Sequence, residues 1–458
     1  MPCVIASFIP GLESKQMPIH NTTRRTDASS LPGRRTFLGL VGAAGTGLLT
    51  GACSTGGGGS QSSGSKSFTW ATWAGVGDEK KTWDRVAALA AKDHPGTTVT
   101  IDASYATNYY DTLVTRTVAG RGPDLMTSQG TTLPSLVDRG LLQPLDDRIK
   151  NDSHVAAGDW PDAIRQAMSW DGKQYLLPYD VGPCFLWYNK DLLASVGVAE
   201  PSATEPMTYA EFRTICSKVA KSGNRRYGYA TPPAWDYLIP WVWSAGGEMM
   251  NPDRTACELS SPGATTGLDN VVSLYRDGLA APIKDLTKAN ALEDFASGTI
   301  AFTPGGPWDA QYLRTQNLKF TWGFMPFPAG DGGSQTWVSG SGFGIAKTVK
   351  QIDAAFAALT SLVSPAAQQI MASAGRAFPA RASAISSYSQ GGKPPAHVNE
   401  IGVLMTAKGT RPYITTPNWQ QINTMLSRDL MPILLPGAKL DDILAKVTPQ
   451  FTDLLKKG

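Results

Sequence analysis

From Lys66 to the end of the chain, short apolar runs alternate with amphipathic stretches of helical period. No other feature constrains the fold as strongly, because strands separated by helices return to their sheet by crossovers and so build layered α/β architectures. Ser67–Trp73 (SFTWATW) reads as a first strand, and Trp83, Val86, Ala87 and Ala90 share one face of the helix that follows. Val99–Ala103 alternates as a second strand, and Asp124–Met126 reads as a short buried one. Thr208, with Glu211 three residues later, forms a capping box ahead of the stripe Phe212, Ile215, Cys216, Val219. Ser364-Pro365 supplies an N-cap and a first-turn proline for a helix that Gly375 ends. The expected fold class is α/β with mainly parallel sheets. A length of 458 residues implies two or three domains.

The residues before Lys66 read differently. Arg34 and Arg35 precede Phe37–Ala52, an uncharged run rich in Leu, Gly and Ala. It is shorter than the ~20 residues of a membrane-spanning helix, which favours the apolar part of a signal peptide. Gly33–Gly39 (GRRTFLG) resembles a twin-arginine export signal, with Gly39 where lysine is common. LLTGAC resembles a bacterial lipobox in which Cys53 is lipidated, with Thr50 where leucine is commonest. The competing reading is a chance arginine pair beside a short core helix. Ser54–Ser65 (STGGGGSQSSGS) has nothing to bury and reads as a flexible tether. The expected organisation is therefore an export signal over 1–52 and a Gly/Ser tether over 53–67. Without residues 1–52 the chain carries 36 basic and 36 acidic side chains. That balance gives no electrostatic reason to expect nucleic acid or an anionic membrane face as partner, so membrane contact is expected through the lipid alone.

Motifs for chemistry are scarce. Past Cys53, only His94, His154 and His397 occur, far apart and without metal-ligand spacing. There is no GxSxG elbow, no GxxxxGK[ST] loop and no GxGxxG after a strand, so no cofactor and no metal are expected. Gly340-Ser341-Gly342-Phe343-Gly344 has the wrong spacing for a dinucleotide and reads as a hinge or strand end. Asp146-Asp147 and Asp441-Asp442 read as surface charge or helix starts. A carboxylate pair for glycoside hydrolysis stays open, because such pairs meet in space. Cys184, Cys216 and Cys257 allow at most one disulfide, and the stripe around Cys216 favours small buried hydrophobes for all three.

Tryptophan is the abundant signal, with thirteen in the chain. Trp73, Trp235, Trp308, Trp337 and Trp419 fall beside Gly or Pro loop signals, whereas Trp70, Trp83, Trp170, Trp187 and Trp322 read as structural. An indole on a loop needs apolar surface to cover. The C–H faces of a pyranose supply it, while the ring hydroxyls need polar partners at the edge. Packing in a core or between domains is the alternative for each indole.

An ordered set of segments then carries a family resemblance. They are GPDLM (Gly122–Met126), GLLQPLDD (Gly140–Asp147), YLLPYDVGPCFLWYNKDLL (Tyr175–Leu193), MTYAEF (Met207–Phe212), SAGGE (Ser244–Glu248), FASGTIAFTPGGPW (Phe295–Trp308), GFMPFPAG (Gly323–Gly330) and GFGIAK (Gly342–Lys347). Together they resemble family 1 of the extracellular solute-binding proteins, the substrate-binding lipoproteins of bacterial carbohydrate ABC importers, in the layout of its maltose-binding members. The resemblance implies a two-lobe periplasmic-binding fold of type II with a hinged cleft. Crossings are expected near Tyr179–Pro183, Phe302–Gly305 and Gly340–Phe343. Lobe 1 would hold 68–180 and 303–339, and lobe 2 would hold 181–302 and 340–458. Carried over by position, Trp308 matches a stacking tryptophan, Trp235-Asp236-Tyr237 a ligand loop, and Trp419 a second stacking position. Trp73, Ser128, Gln129, Asp180, Trp337, Ser339 and Arg376 are further ligand candidates. The implied protein is a monomeric, lipid-tethered receptor at the extracytoplasmic face that passes a sugar or short oligosaccharide to importer permease subunits, without catalysis. A same-fold receptor for a polyamine or phosphorylated polyol, and a secreted polysaccharide-acting hydrolase, are the alternatives.

Overall fold

Apolar side chains every second residue make the strands, and their partners in space decide the layers. The computed structural model describes residues 66–457, apart from 73–76, 106–108, 157–158, 224, 376–377, 391–399, 407 and 414. The expected signal, Cys53 and tether lie outside the described residues, as do Trp73 and Arg376.

The strands used below are β1 (Lys66–Ala71), β2 (Thr97–Ile101), β3 (Leu125–Gln129), β4 (Leu177–Pro178), β5 (Gly182–Pro183), β6 (Phe185–Asn189), β7 (Tyr227–Tyr229), β8 (Ile300–Gly305), β9 (Trp322–Met325), β10 (Thr336–Ser339), β11 (Ser341–Ile345) and β12 (Thr410–Pro412). The helices are α1 (Gly77–Asp93), α2 (Tyr109–Val118), α3 (Leu133–Asp138), α4 (Tyr209–Lys221), α5 (Ile239–Ser244), α6 (Pro262–Arg276), α7 (Ile352–Leu362), α8 (Pro365–Ser373), α9 (Trp419–Met425) and α10 (Leu440–Leu455).

One sheet runs β2-β1-β3-β11-β4, with β1 parallel to β2 and β3, and β11 antiparallel to β3 and β4. A second runs β9-β6-β8-β7, with β6 antiparallel to both neighbours and β7 parallel to β8. Between them in the chain, β12-β10-β5 forms a three-stranded sheet. The result is α/β with two lobes, each built on its own sheet. Alternation along β6 shows how the layers share residues. Phe185 and Trp187 join the core of the first sheet, while Leu186 and Tyr188 join the core under α4, α5, α6 and α10.

Local signals place several elements as expected. The Thr208 side chain accepts from the Glu211 N–H, and the Glu211 carboxylate accepts from the Thr208 N–H at 2.7 Å. Caps of this type contribute about 1 kcal/mol. Ser364 caps α8, Pro365 opens it, and Gly375 follows with φ at 69°. All three described cysteines are free and buried, and Cys216 packs with Phe212 and Val219 as its stripe requires. Trp70, Trp83 and Trp187 are fully enclosed, and Trp170 and Trp322 lie partly buried against the same core. Asp146-Asp147 and Asp441-Asp442 stand in the first turns of helices.

The expected lobe boundaries need correction. The chain leaves the first sheet after β4 and enters the second at β6, passing through β5 over Tyr179–Cys184. At Phe302–Gly305 it stays in the second sheet, and β9 follows in that sheet, while Ala310 and Leu313 between them pack in the core of the first, so 303–339 is shared between the two. After Gly340 the glycine-rich run is β11, paired on both sides within the first sheet, which removes 341–345 from the second lobe. The return falls at β12, ahead of α9 and α10, whose buried residues belong to the second core. Strand pairing is a long-range choice that residue pattern alone leaves open.

Candidate functional site

The strands between the two lobes carry a row of aromatic rings. Directly after β8, Pro307 opens a single 3-10 turn, Pro307–Asp309, that turns Trp308 back over the crossing. A Cβ on Gly182 would sit 2.5 Å from Trp308 Cζ3, and one on Gly306 would sit 2.2 Å from Cη2. The ring therefore lies against two bare glycine backbones, and a side chain at either would displace it. Trp308 runs parallel to Trp337 of β10, with centroids 5.7 Å apart and planes at 6°. Tyr413, next after β12, tilts against Trp337 at 5.5 Å, and Trp419 at the start of α9 meets Tyr413 edge-on at 5.7 Å. Trp308 is partly exposed, whereas Trp337, Tyr413 and Trp419 are buried.

Asp236 braces this row. Its backbone carbonyl accepts from Trp337 Nε1 at 2.7 Å, and its Oδ1 accepts from the Tyr413 hydroxyl at 2.6 Å. Burial raises the Asp236 carboxyl above the usual carboxylate range, and the bond from Tyr413 opposes that rise. Burial also pushes the Tyr237 hydroxyl well up, helped by the nearby charges of Asp309, Cys184 and Asp236 and opposed by the Trp308 indole. Among the described residues Trp308 Nε1 is buried and makes no hydrogen bond of ordinary geometry.

Asp309 turns inward beside Trp308. Its Oδ2 accepts from the Gly306 N–H at 2.9 Å and from Trp187 Nε1 at 3.2 Å. Burial nevertheless pushes its carboxyl up from 3.8 to about 7. The folded chain therefore holds a proton here that the unfolded chain has already released between those two values. This contribution to stability is complete at the acid end and lost as pH rises to about 7. Thermal melts across that window should show the parent losing stability relative to Asp309→Asn, which keeps a neutral side chain throughout; a pH-independent difference would contradict the shift.

On the first-sheet side, Ser128 and Gln129 end β3. Ser128 is buried and donates to the Gln129 carbonyl at 3.0 Å, and the Gln129 N–H donates to the Tyr110 hydroxyl at 3.0 Å. Asp180 accepts from the Ser341 N–H at 2.5 Å, so its carboxylate anchors the entry to β11 at the crossing. Ser339 is partly exposed, opposite Gly182. Beyond the crossing strands, Thr415 Oγ1 donates to the Thr131 carbonyl at 2.7 Å and ties the tail segment to the first lobe.

The structure thus gathers Trp308, Trp337, Trp419, Asp236 and Tyr237 around one row, and sets Ser128, Gln129, Asp180 and Ser339 at the strand ends beside the crossings. Trp235 is a correction. It is fully enclosed in the second core, its Nε1 donating to Met249 Sδ at 3.2 Å, and has no face to offer a solute. Within the 3-10 turn Trp235–Tyr237, successive side chains point in different directions, so Trp235 turns inward while Asp236 reaches Tyr413. Tyr413, Tyr110 and Asp309 went unrecognised in the sequence. Asp309 follows directly on Trp308 and was legible by adjacency. Tyr413 joins only because β12 pairs with β10 across more than seventy residues.

Of the four rings only Trp308 reaches the surface, with Trp337, Tyr413 and Trp419 backing it from the interior, and an indole face of this kind suits a small solute with C–H faces and a hydroxyl rim.

Comparison with known proteins bears on the same region. Residues 74–369, well over half the chain, match the family described as bacterial extracellular solute-binding protein. A binding protein of Brucella abortus is 24% identical over 258 residues, which cover 55% of this chain and 61% of that protein. The diacetylchitobiose binding protein of Streptomyces coelicolor is 24% identical over 338 residues, covering 70% of this chain and 76% of that one. Among solved structures, an ABC substrate-binding protein of Listeria monocytogenes in complex with cycloalternan superposes with a TM-score of 0.74 at 20% identity, covering 85% of this chain and 98% of that chain.

Proposed function

The chain belongs to the bacterial extracellular solute-binding proteins, and on that premise we propose that it captures a sugar or short oligosaccharide between its lobes and delivers it to an ABC importer. The observation that carries this reading is the Trp308–Trp337 stack braced by Asp236 and Tyr413. Flat rings shed water against the C–H faces of a pyranose, and the surrounding carboxylates accept from its hydroxyls. The names of two similar proteins, one a diacetylchitobiose binder and one solved with cycloalternan, support the same ligand class.

A solute that touches both lobes favours whichever arrangement lets it keep both sets of contacts, and the permease reads that arrangement. On this reading the protein is a receptor without catalysis. Calorimetry and tryptophan fluorescence against mono- and oligosaccharides are the test. Saturable binding of a sugar supports the reading, and silence across the panel overturns it. Saturation instead by a polyamine or a glycerol phosphodiester in the same panel would assign the site to that ligand class.

Export and anchoring belong to the same proposal. The lipobox-like LLTGAC makes Cys53 the lipid site, with residues 54–65 as tether. Cys53→Ala should move the protein from the membrane fraction to the soluble extracytoplasmic fraction; unchanged membrane association would remove the anchor.

A further inference from the structure

The turn that carries Trp308 is held from two sides, and only one hold comes from its own segment. Within the turn, Asp309 Oδ2 accepts from the Gly306 N–H at 2.9 Å. The other hold is Tyr388, in a helix over Ile385–Gln390, whose hydroxyl donates to the Pro307 carbonyl at 2.7 Å from 81 residues further along the chain. The same carbonyl closes the 3-10 turn by accepting from the Ala310 N–H. A carbonyl oxygen has two lone pairs, so both are engaged, one by the turn itself and one by Tyr388.

Tyr388 is fixed on the first-lobe side. Its ring meets Phe378 at 5.1 Å in the core of the first sheet, and its helix packs against α8. The Phe378 carbonyl in turn accepts from the Val181 N–H of the crossing at 3.0 Å. The turn thus takes one bearing from β8 of the second sheet and another from the helices of the first. Tyr388 is buried, and burial raises its hydroxyl above the ordinary tyrosine range, with Arg314 opposing the rise and Asp309 adding to it. The hydroxyl therefore stays protonated and donates at neutral pH.

The bearing matters because Trp308 has no ordinary hydrogen bond of its own to fix it. A gap of about 0.5–1 Å forfeits a quarter to a half of a van der Waals contact, so a flat ring serves a solute only where its plane is held. We propose that Tyr388 is a positioning residue for Trp308, fixing from the first lobe the plane on which the solute stacks. The proposal rests on the carbohydrate reading above. It does not set Tyr388 against the ligand, since its ring is enclosed and its hydroxyl is engaged by Pro307.

Tyr388→Phe keeps the ring against Phe378 and removes only the hydroxyl, so the variant should fold. Calorimetry with the tightest-binding sugar on the parent, Tyr388→Phe, Trp308→Ala and the double variant forms a cycle that isolates the coupling between the two residues. Tyr388→Phe should weaken binding about five- to tenfold in the parent and less than about twofold in the Trp308→Ala background. Melting should fall by only a few degrees, and equally, in both backgrounds. Near-ultraviolet circular dichroism of the ligand-free protein gives a second readout. Its indole band should change in Tyr388→Phe in the same direction as in Trp308→Ala, because both disturb the stack on Trp337. An affinity loss of equal size in both backgrounds, no loss at all, or an unchanged indole band overturns the positioning role and leaves sugar capture intact. Absence of sugar binding in the parent overturns the carbohydrate reading itself, and the role of Tyr388 in capture with it.

Discussion

Trp308→Ala should weaken sugar binding by about thirtyfold or more and leave the fold nearly as stable as before. Truncating an aromatic anchor in a recognition site costs about 2 kcal/mol or more, and 1.4 kcal/mol corresponds to a factor of ten. The stability cost is smaller because Trp308 is partly exposed and lies on two glycine backbones at the crossing. What is lost there is chiefly its parallel contact with Trp337, about 1 kcal/mol, or a few degrees of melting temperature. Trp308→Tyr keeps a flat ring in place and should recover part of the affinity. Calorimetry on both variants, with melting curves beside it, distinguishes the outcomes. Parental affinity in Trp308→Ala would mean that the solute does not rest on this row.

The opposite pattern is expected one loop away. Trp235→Ala should destabilise the chain by about 3–5 kcal/mol, because truncating a large enclosed aromatic leaves a cavity that its neighbours fill only partly. Trp235 is fully enclosed, and its N–H would leave Met249 Sδ without its 3.2 Å partner. A loss of that size corresponds to a fall in melting temperature on the order of 10 °C. Where the variant remains folded, binding should stay within a few-fold of the parent, since the ring faces the core. Trp235→Phe restores most of the volume and should recover most of the stability, which keeps the test decisive if the alanine variant fails to accumulate. A large loss of affinity in Trp235→Phe with unchanged melting would return Trp235 to the ligand surface.

These two indoles show where the sequence ran out. Trp308 directly follows Pro307 and Trp235 follows Pro233 by two residues; both stand in a single 3-10 turn, and both precede an aspartate. Little in the local sequence separates them. One turn lies over α5 and buries its tryptophan in one core with Leu238, Ile239 and Val242; the other lies over the crossing strands, with Gly182 and Gly306 against its ring and Trp337 parallel to it. The carboxylates divide in the same way. Asp180, expected as an acceptor for sugar hydroxyls, accepts from the backbone of β11, while Asp236 holds two aromatic partners in place.

Helix starts, the buried cysteine stripe, the first strands and the α/β class were legible because they depend on contacts within a few residues. The ordered segments carried the family as well, because many weak motifs in one order are specific where each alone is not. Which sheet receives β11, which turn exposes its indole, and that Tyr413 completes the row through β12 were decided only in the folded molecule. The physical reason is that sheet pairing joins residues far apart in the chain, and a one-residue change of register or facing sends a side chain to the other side of its layer. The sequence by itself determined what the elements are and which family they form; their mutual packing decided which of its aromatic rings are enclosed and which reaches the surface.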